Sequence, residues 1–162
     1  MKLRVIFSIV ALALSGCVTP VKQTVPFDEA AFQWSTVKGS ASIVGSAFLK
    51  TRAGDVKLGA GNMVELIPVT PYTKERFQIA AQLELNVPRD ARDSRLAKYI
   101  HTTIADAQGS FEFRNIPAGE YVLSCVIQWQ YGSELGVVTT GGQAIAFVSV
   151  ADDETKKVVL TK

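Results

Sequence analysis

The chain has 162 residues, with 17 Lys and Arg against 15 Asp and Glu, one His and two Cys. That length allows one domain with a substantial core. The near balance of charge excludes the strongly basic face of a nucleic-acid binder, and the few His and Cys fall short of a zinc site.

The first sixteen residues stand apart. Lys2 and Arg4 make a basic start, and residues 5–14 are apolar except for Ser8. Such a run is too short to span a bilayer, which takes about 20 apolar residues. A basic start, a short apolar middle and small residues at the end are the layout of a secretory signal over residues 1–16. The competing reading is a buried first strand.

The segment ends Leu14-Ser15-Gly16-Cys17, which resembles the lipobox of bacterial lipoproteins. Small residues admit the backbone to a signal peptidase, and the thiol is the nucleophile that takes up diacylglycerol. The resemblance implies lipidation at Cys17 and a membrane held through its acyl chains. Each buried CH₂ contributes about 0.8 kcal/mol, so two or three chains anchor effectively permanently. Val18 rather than Asp follows the Cys, which in enteric-type bacteria implies the outer membrane, with the domain facing the periplasm. Taking Lys2 and Arg4 from the 17 basic residues leaves them equal to the 15 acidic ones, so the mature chain is close to neutral.

Residues 17–38 then read as a lipidated tether, with Pro20, Pro26 and no sustained period. Residues 27–32 could form one helical turn, with Trp34 docking on the domain. Residues 39–50 alternate in part, with Ile43, Gly45, Ala47 and Leu49 on one side, which predicts a strand. Gly59-Ala60-Gly61-Asn62 lacks the Lys-Ser/Thr ending of a phosphate cradle and reads as a turn. Residues 63–69 predict a strand that Pro68 ends or pushes to an edge.

Thr70-Pro71 has the form of a helix start, Thr as N-cap and Pro in the first turn. Tyr72, Ile79, Ala80 and Leu83 fall near one helical face, with Phe77 and Ala81 beside them. Asn86-Val87-Pro88 breaks this pattern. Residues 89–98 are dense in charge, with Arg89, Arg92, Arg95 and Lys98 against Asp90 and Asp93. That run reads as a solvated helix or loop, or as a small basic patch for anionic glycan or lipid. Residues 70–98 together form a partly helical insertion between strands.

Residues 99–105 are strand-like. Asp106-Ala107-Gln108-Gly109 fits a type I turn, with Asp first and Gly fourth. Phe111 and Phe113 alternate with Glu112, so their rings face one way. Ile116-Pro117-Ala118-Gly119 is a second turn, and Tyr121, Leu123, Cys125, Ile127 and Trp129 line one face of a long strand. If Cys17 is lipidated, Cys125 has no intramolecular partner. It reads as a small buried residue, with a reactive or dimer-forming thiol as the alternative. Residues 130–143 read as a Gly-rich crossing, residues 144–150 as a strand, and Val158 and Leu160 as part of the last one. About seven short strands separated by turns predict an all-β, antiparallel Greek-key sandwich.

The run Thr103-Ile104-Ala105-Asp106-Ala107-Gln108-Gly109-Ser110-Phe111-Glu112-Phe113-Arg114-Asn115-Ile116-Pro117-Ala118-Gly119-Glu120-Tyr121-Val122-Leu123 resembles the carboxypeptidase regulatory-like domain, a transthyretin-like β-sandwich. The pattern is T-D-x-x-G-x-F-x-F-x-x-I-P-x-G-x-Y-x-L. Here Thr and Asp stand two residues further apart than in its tightest form. Gly45-Ser46-Ala47 and Lys157-Val158-Val159-Leu160 fit loosely, so the resemblance covers residues 39–162 without the 70–98 insertion or the Gly-rich crossing. It implies a non-catalytic stabilising or interaction module, and fold alone does not give function.

Catalysis has few residues to draw on. His101 with Asp106 lacks a Ser in a nucleophile elbow. The intradiol dioxygenases that resemble this fold need two His and two Tyr on iron, the hydroxyisourate hydrolases need several His, and Asp152-Asp153-Glu154 reads as a solvated turn rather than a weak Ca²⁺ site. The chain therefore carries no catalytic, cofactor or metal residues on this reading. It is expected to bind an envelope protein through the insertion and the Gly-rich stretch. The alternative is envelope glycan, peptidoglycan or lipopolysaccharide, stacked on Trp34, Tyr99, Trp129 and Tyr131. An exposed aromatic row near Arg92 and Arg95 would favour glycan, and buried aromatics would favour the protein partner.

Overall fold

The computed structural model describes residues 23–82, 92–134 and 136–162. Among the described residues eight strands run β1 (Ala41–Lys50), β2 (Val56–Leu58), β3 (Met63–Pro68), β4 (His101–Ile104), β5 (Ser110–Ile116), β6 (Gly119–Ser133), β7 (Gly136–Val150) and β8 (Thr155–Leu160). They form an all-β sandwich of two four-stranded sheets. In the first sheet β1 pairs antiparallel with β2 and β5, and parallel with β8. The second sheet has the order β4-β3-β6-β7 and is antiparallel throughout. The expected wholly antiparallel arrangement is thus corrected at one ladder, where the last strand returns beside β1 in the same direction.

The core lies between the sheets. Alternate residues of β1, Phe111 and Phe113 of β5, and Tyr121, Leu123, Cys125 and Ile127 of β6 meet there. The Asp106 turn forms as its residue types predict. Asp106 Oδ1 accepts from Gln108 N at 2.9 Å and from Ser110 N at 2.8 Å, and Gly109 N donates to Asp106 O at 2.9 Å. The next turn is closed by the buried Tyr121 hydroxyl, which donates to Pro117 O at 2.8 Å.

Helix α1 (Pro71–Gln82) packs on the outer face of the second sheet. Its start is capped reciprocally. Thr73 N donates to Thr70 Oγ1 at 3.3 Å, and Thr70 N donates to Thr73 Oγ1 at 2.8 Å. Phe77 and Ala80 meet Ile67 and Val122, so five successive residues of β6, 121–125, are buried on both faces of the sheet. The helical face agrees with the expected one in part. Tyr72, Phe77 and Ala80 are buried as expected and Thr73 with them, while Ile79 is half-buried, Ala81 is exposed, and Leu83 lies outside the described residues.

Two further differences matter for function. The stretch read as tether is docked from Gln23 onward, and it includes a 3-10 helix over Ala30–Thr36. Phe32 is fully buried, stacked on Phe27 at 4.9 Å and Tyr99 at 5.1 Å, because the aromatic side chains of this segment find cover on the domain, Phe27 and Phe32 beside Tyr72 and Tyr99 and Trp34 against Tyr121. The Gly-rich crossing is no loop. It is the far half of a β6–β7 hairpin paired without a break from Gly119↔Val150 to Ser133↔Gly136.

Candidate functional site

The sequence-derived residues are not brought together. Cys17 lies outside the described residues, as do Arg89 and Asp90. His101 is exposed at the start of β4, opposite Leu66, while the Asp106 carboxylate is occupied by its own turn. Glu154 Oε2 accepts from Ala151 N at 2.9 Å, and its Oε1 pairs with Lys156 at 3.0 Å. Those contacts hold the Glu154 carboxyl below its ordinary range, the backbone hydrogen bond first. Among the described residues no three His, Cys, Asp or Glu side chains converge as a metal site. In the Gly59–Asn62 stretch, Asn62 N donates to Gly59 O at 2.9 Å, which is turn bonding, and Gly61 N donates to Ala105 O at 2.9 Å, which ties the turn to the residue after β4.

Arg92 of the insertion turns inward, while Arg95 stays exposed. Arg92 Nη1 lies 3.2 Å from Glu65 Oε1 on β3, a carboxylate buried beside Ser124 of the neighbouring strand. Gln143 Nε2 donates to Ser124 Oγ at 2.7 Å, so a polar seam crosses three strands under the insertion. Asp93 caps the second 3-10 helix, Ser94–Tyr99, accepting from Arg95 N at 3.0 Å, and Arg95 Nη2 donates to Asp93 Oδ2 at 2.8 Å. Those hydrogen bonds hold the Asp93 carboxyl down to about 2. The Arg95 guanidinium also lies 4.6 Å from the Phe27 ring centre.

The candidate stacking residues are dispersed. Tyr99 is buried in the Phe27–Phe32 cluster, where its hydroxyl donates to Glu29 Oε1 at 2.8 Å. Trp34 packs edge-on against Tyr121 at 5.3 Å, and Trp129 is half-buried against the core. Only Tyr131 of the four is open, at 50 % exposure. Cys125 is fully buried in the core.

The sequence reading missed the surface that Tyr131 belongs to. The core-facing row of β6 runs Tyr121, Leu123, Cys125, Ile127, Trp129, Tyr131 at a spacing of two, and β3 accompanies it only as far as Cys125. Beyond that point the hairpin projects as a two-stranded ribbon. Tyr131 sits directly opposite Val138 on the same face, and Val137, on the other face of the ribbon, is 72 % exposed. The signal in the sequence was the unbroken alternation from Ile127 to Tyr131. The glycines that follow hid it.

A second surface is an open groove of about 810 Å³ across β1, β5 and β8, reached also by β4. Ser46, Thr103 and Ser110 supply hydroxyls to it, and Glu112 and Lys157 supply charge. Arg114, hydrogen-bonded to Glu112 at 2.6 Å, holds that carboxyl below its ordinary range.

The structure is similar to the crystal structure of a proposed carbohydrate-binding protein from Pseudomonas aeruginosa. The match has 29 % identity and a TM-score of 0.71, covering 84 % of this chain and 97 % of that one. A looser overlap is found with the major pilin subunit of Bacillus cereus, at 16 % identity and a TM-score of 0.42, covering 76 % of this chain and 29 % of that one. No family model and no curated protein matches the sequence.

Proposed function

We propose that this chain is a lipid-anchored, non-catalytic module of the bacterial cell envelope, built on a carboxypeptidase regulatory-like sandwich, which binds a partner protein through the β6–β7 ribbon. The observation that carries this reading is the core-facing row of β6 leaving the sandwich uncovered, with Tyr131 and its cross-strand partner Val138 exposed at its end and Val137 exposed on the opposite face. Apolar side chains left exposed together on a projecting two-stranded ribbon mark an interaction site. The inward-facing aromatics support the protein partner over glycan stacking. The structural use of Asp106 and Glu154 supports a role without catalysis.

Glycan binding is the second reading, favoured by the likeness to the proposed carbohydrate-binding protein. Its surface would be the groove of Ser46, Thr103, Ser110, Glu112 and Lys157, whose hydroxyls and charges suit a polyol.

Cross-linking in intact host cells, with a C-terminal tag, separates the two. The wild type should recover one dominant envelope protein. That protein should be lost with Tyr131→Ser/Val138→Ser while the melting temperature is unchanged, and lost also with Cys17→Ser. Recovery of peptidoglycan or lipopolysaccharide fragments instead, diminished by Glu112→Ala/Lys157→Ala, would replace the first reading with the second.

A further inference from the structure

The docked N-terminal strap limits how far the domain can stand from an anchor at Cys17. Gln23 Nε2 donates to Tyr72 O at 2.9 Å. Thr24 Oγ1 donates to Glu75 Oε1 at 2.6 Å, and Val25 N to Glu75 Oε2 at 2.7 Å. The chain is therefore fixed to the first turn of α1 by residue 23. An undocked tether from Cys17 to the sandwich at residue 39 could reach about 75 Å, whereas the six steps from Cys17 to Gln23 reach no more than about 22 Å.

The first turn of α1 lies at one pole of the long hairpin. Val69 N donates to Glu120 O at 2.9 Å, and Lys74 borders Tyr121 and Val148, at the start of β6 and the end of β7. From there β6 runs 15 residues to Ser133. At roughly 3.3 Å per residue the ribbon tip stands about 46 Å away. Charge does not compete with this constraint. The four basic residues of α1 and the second 3-10 helix are matched by Glu75, Asp93, Glu29 and Asp28 at the same pole.

We infer that the pole formed by residues 23–36, the start of α1 and the second 3-10 helix rests against the lipid surface, and that the ribbon tip is presented away from it. The inference rests on lipidation at Cys17. It deepens the proposed function by giving the partner a place, beyond the membrane surface rather than within it. A tip that dipped into lipid through Tyr131 and Val138 would be the opposite arrangement.

The test uses the full-length protein, purified from membranes and reconstituted into vesicles carrying a headgroup-attached nitroxide quencher. A fluorophore is placed at Lys74→Cys or at Val137→Cys, and buried Cys125 stays unlabelled under native conditions. Strong quenching is expected at position 74 and little at 137. The order should persist near 1 M salt, where the Debye length is about 3 Å. Inserting about 20 Gly/Ser residues after Lys22 should relieve the quenching at position 74. Equal or stronger quenching at 137, or no effect of the insertion, overturns the orientation alone. If the wild type, like Cys17→Ser, fails to associate with vesicles at all, the lipidation reading falls and the orientation with it.

Discussion

The indole of Trp34 fills the space that a side chain at position 119 would occupy. A Cβ built on Gly119 would lie 2.6 Å from Trp34 Cη2 and closer still to Cζ3. The glycine of the Ile116-Pro117-Ala118-Gly119 turn thus has a second use beyond turning the chain. It is the seat on which the N-terminal strap closes. Gly119→Ala should displace the indole and destabilise the fold by about 1–3 kcal/mol, the usual range for overpacking. Urea unfolding checks the loss. Combining it with Trp34→Ala should cost less than the sum of the two single changes, because both remove the same contact. Strict additivity would refute the seat.

The strap should also loosen in acid. Glu75 is held below its ordinary value of 4.5, first by the Thr24 hydroxyl and then by the Val25 amide. Glu29 is lowered first by its hydrogen bond from Tyr99 and then by Lys98. A carboxylate whose pKa is lower folded than unfolded contributes stability above the unfolded value. That contribution is lost as pH falls through the folded one. Amide exchange at Thr24 and Val25 should therefore be protected at pH 7 and should accelerate, relative to the intrinsic rate, once pH drops below 4.5. Glu75→Gln should remove the pH dependence. Exchange that is flat from neutral pH to pH 3 in the wild type would contradict it.

Arg92→Ala should be among the costlier changes in the insertion. The Glu65 side chain is 4 % exposed and that of Arg92 is 19 % exposed. Removing one partner of a buried pair typically costs 3–5 kcal/mol, because the remaining charge stays buried. The solvent still reaching Arg92 places the expected loss near the low end, about 3 kcal/mol. Glu65→Leu/Arg92→Met should cost clearly less than Arg92→Ala, since both charges leave together. Denaturant midpoints on the two variants decide the order.

Lipidation has a direct test. Radiolabelled palmitate should enter the wild type in its host and not Cys17→Ser. Equal labelling of both would remove the anchor from the reading of this protein.

The sandwich was legible because its central stretch punctuates itself. Asp106, Gly109 and Pro117 act through contacts a few residues long, and the Phe111–Phe113 and Tyr121–Ile127 rows have the period of a strand facing a core. The insertion was legible at its capped start and less so along its length. Tyr72 turns to the strap cluster while Phe77 turns to the sheet, so α1 has two partners and no single apolar stripe. Trp34 docks on the domain as expected, but the extent of the strap was obscured for a different reason. Phe27, Phe32 and Trp34 have no period of their own, and their partners Tyr72, Tyr99 and Tyr121 lie some forty to ninety positions away. The long-range pairing that buries Glu65 against Arg92 is likewise invisible in either segment read alone.

The ribbon was misread through its glycines, and those glycines offer a paired test. Gly141 stands opposite Gln128 in the β6–β7 ladder. A Cβ there would lie 2.9 Å from the Gln128 Cα and closer to the Ile127 carbonyl oxygen, so the two strands approach only because position 141 has no side chain. Gly132, nearer the tip, would meet nothing within 4 Å. Glycine at 141 is therefore a requirement of the strand, while at 132 it costs backbone entropy without return. Gly141→Ala should destabilise by about 1–3 kcal/mol. Gly132→Ala should be neutral or stabilise by up to about 1 kcal/mol, by restricting the unfolded chain. If residues 130–143 were a loose crossing, the two substitutions would have similar, small effects. A large loss at 141 beside none at 132 is the signature of a paired ribbon that continues the sheet to its tip.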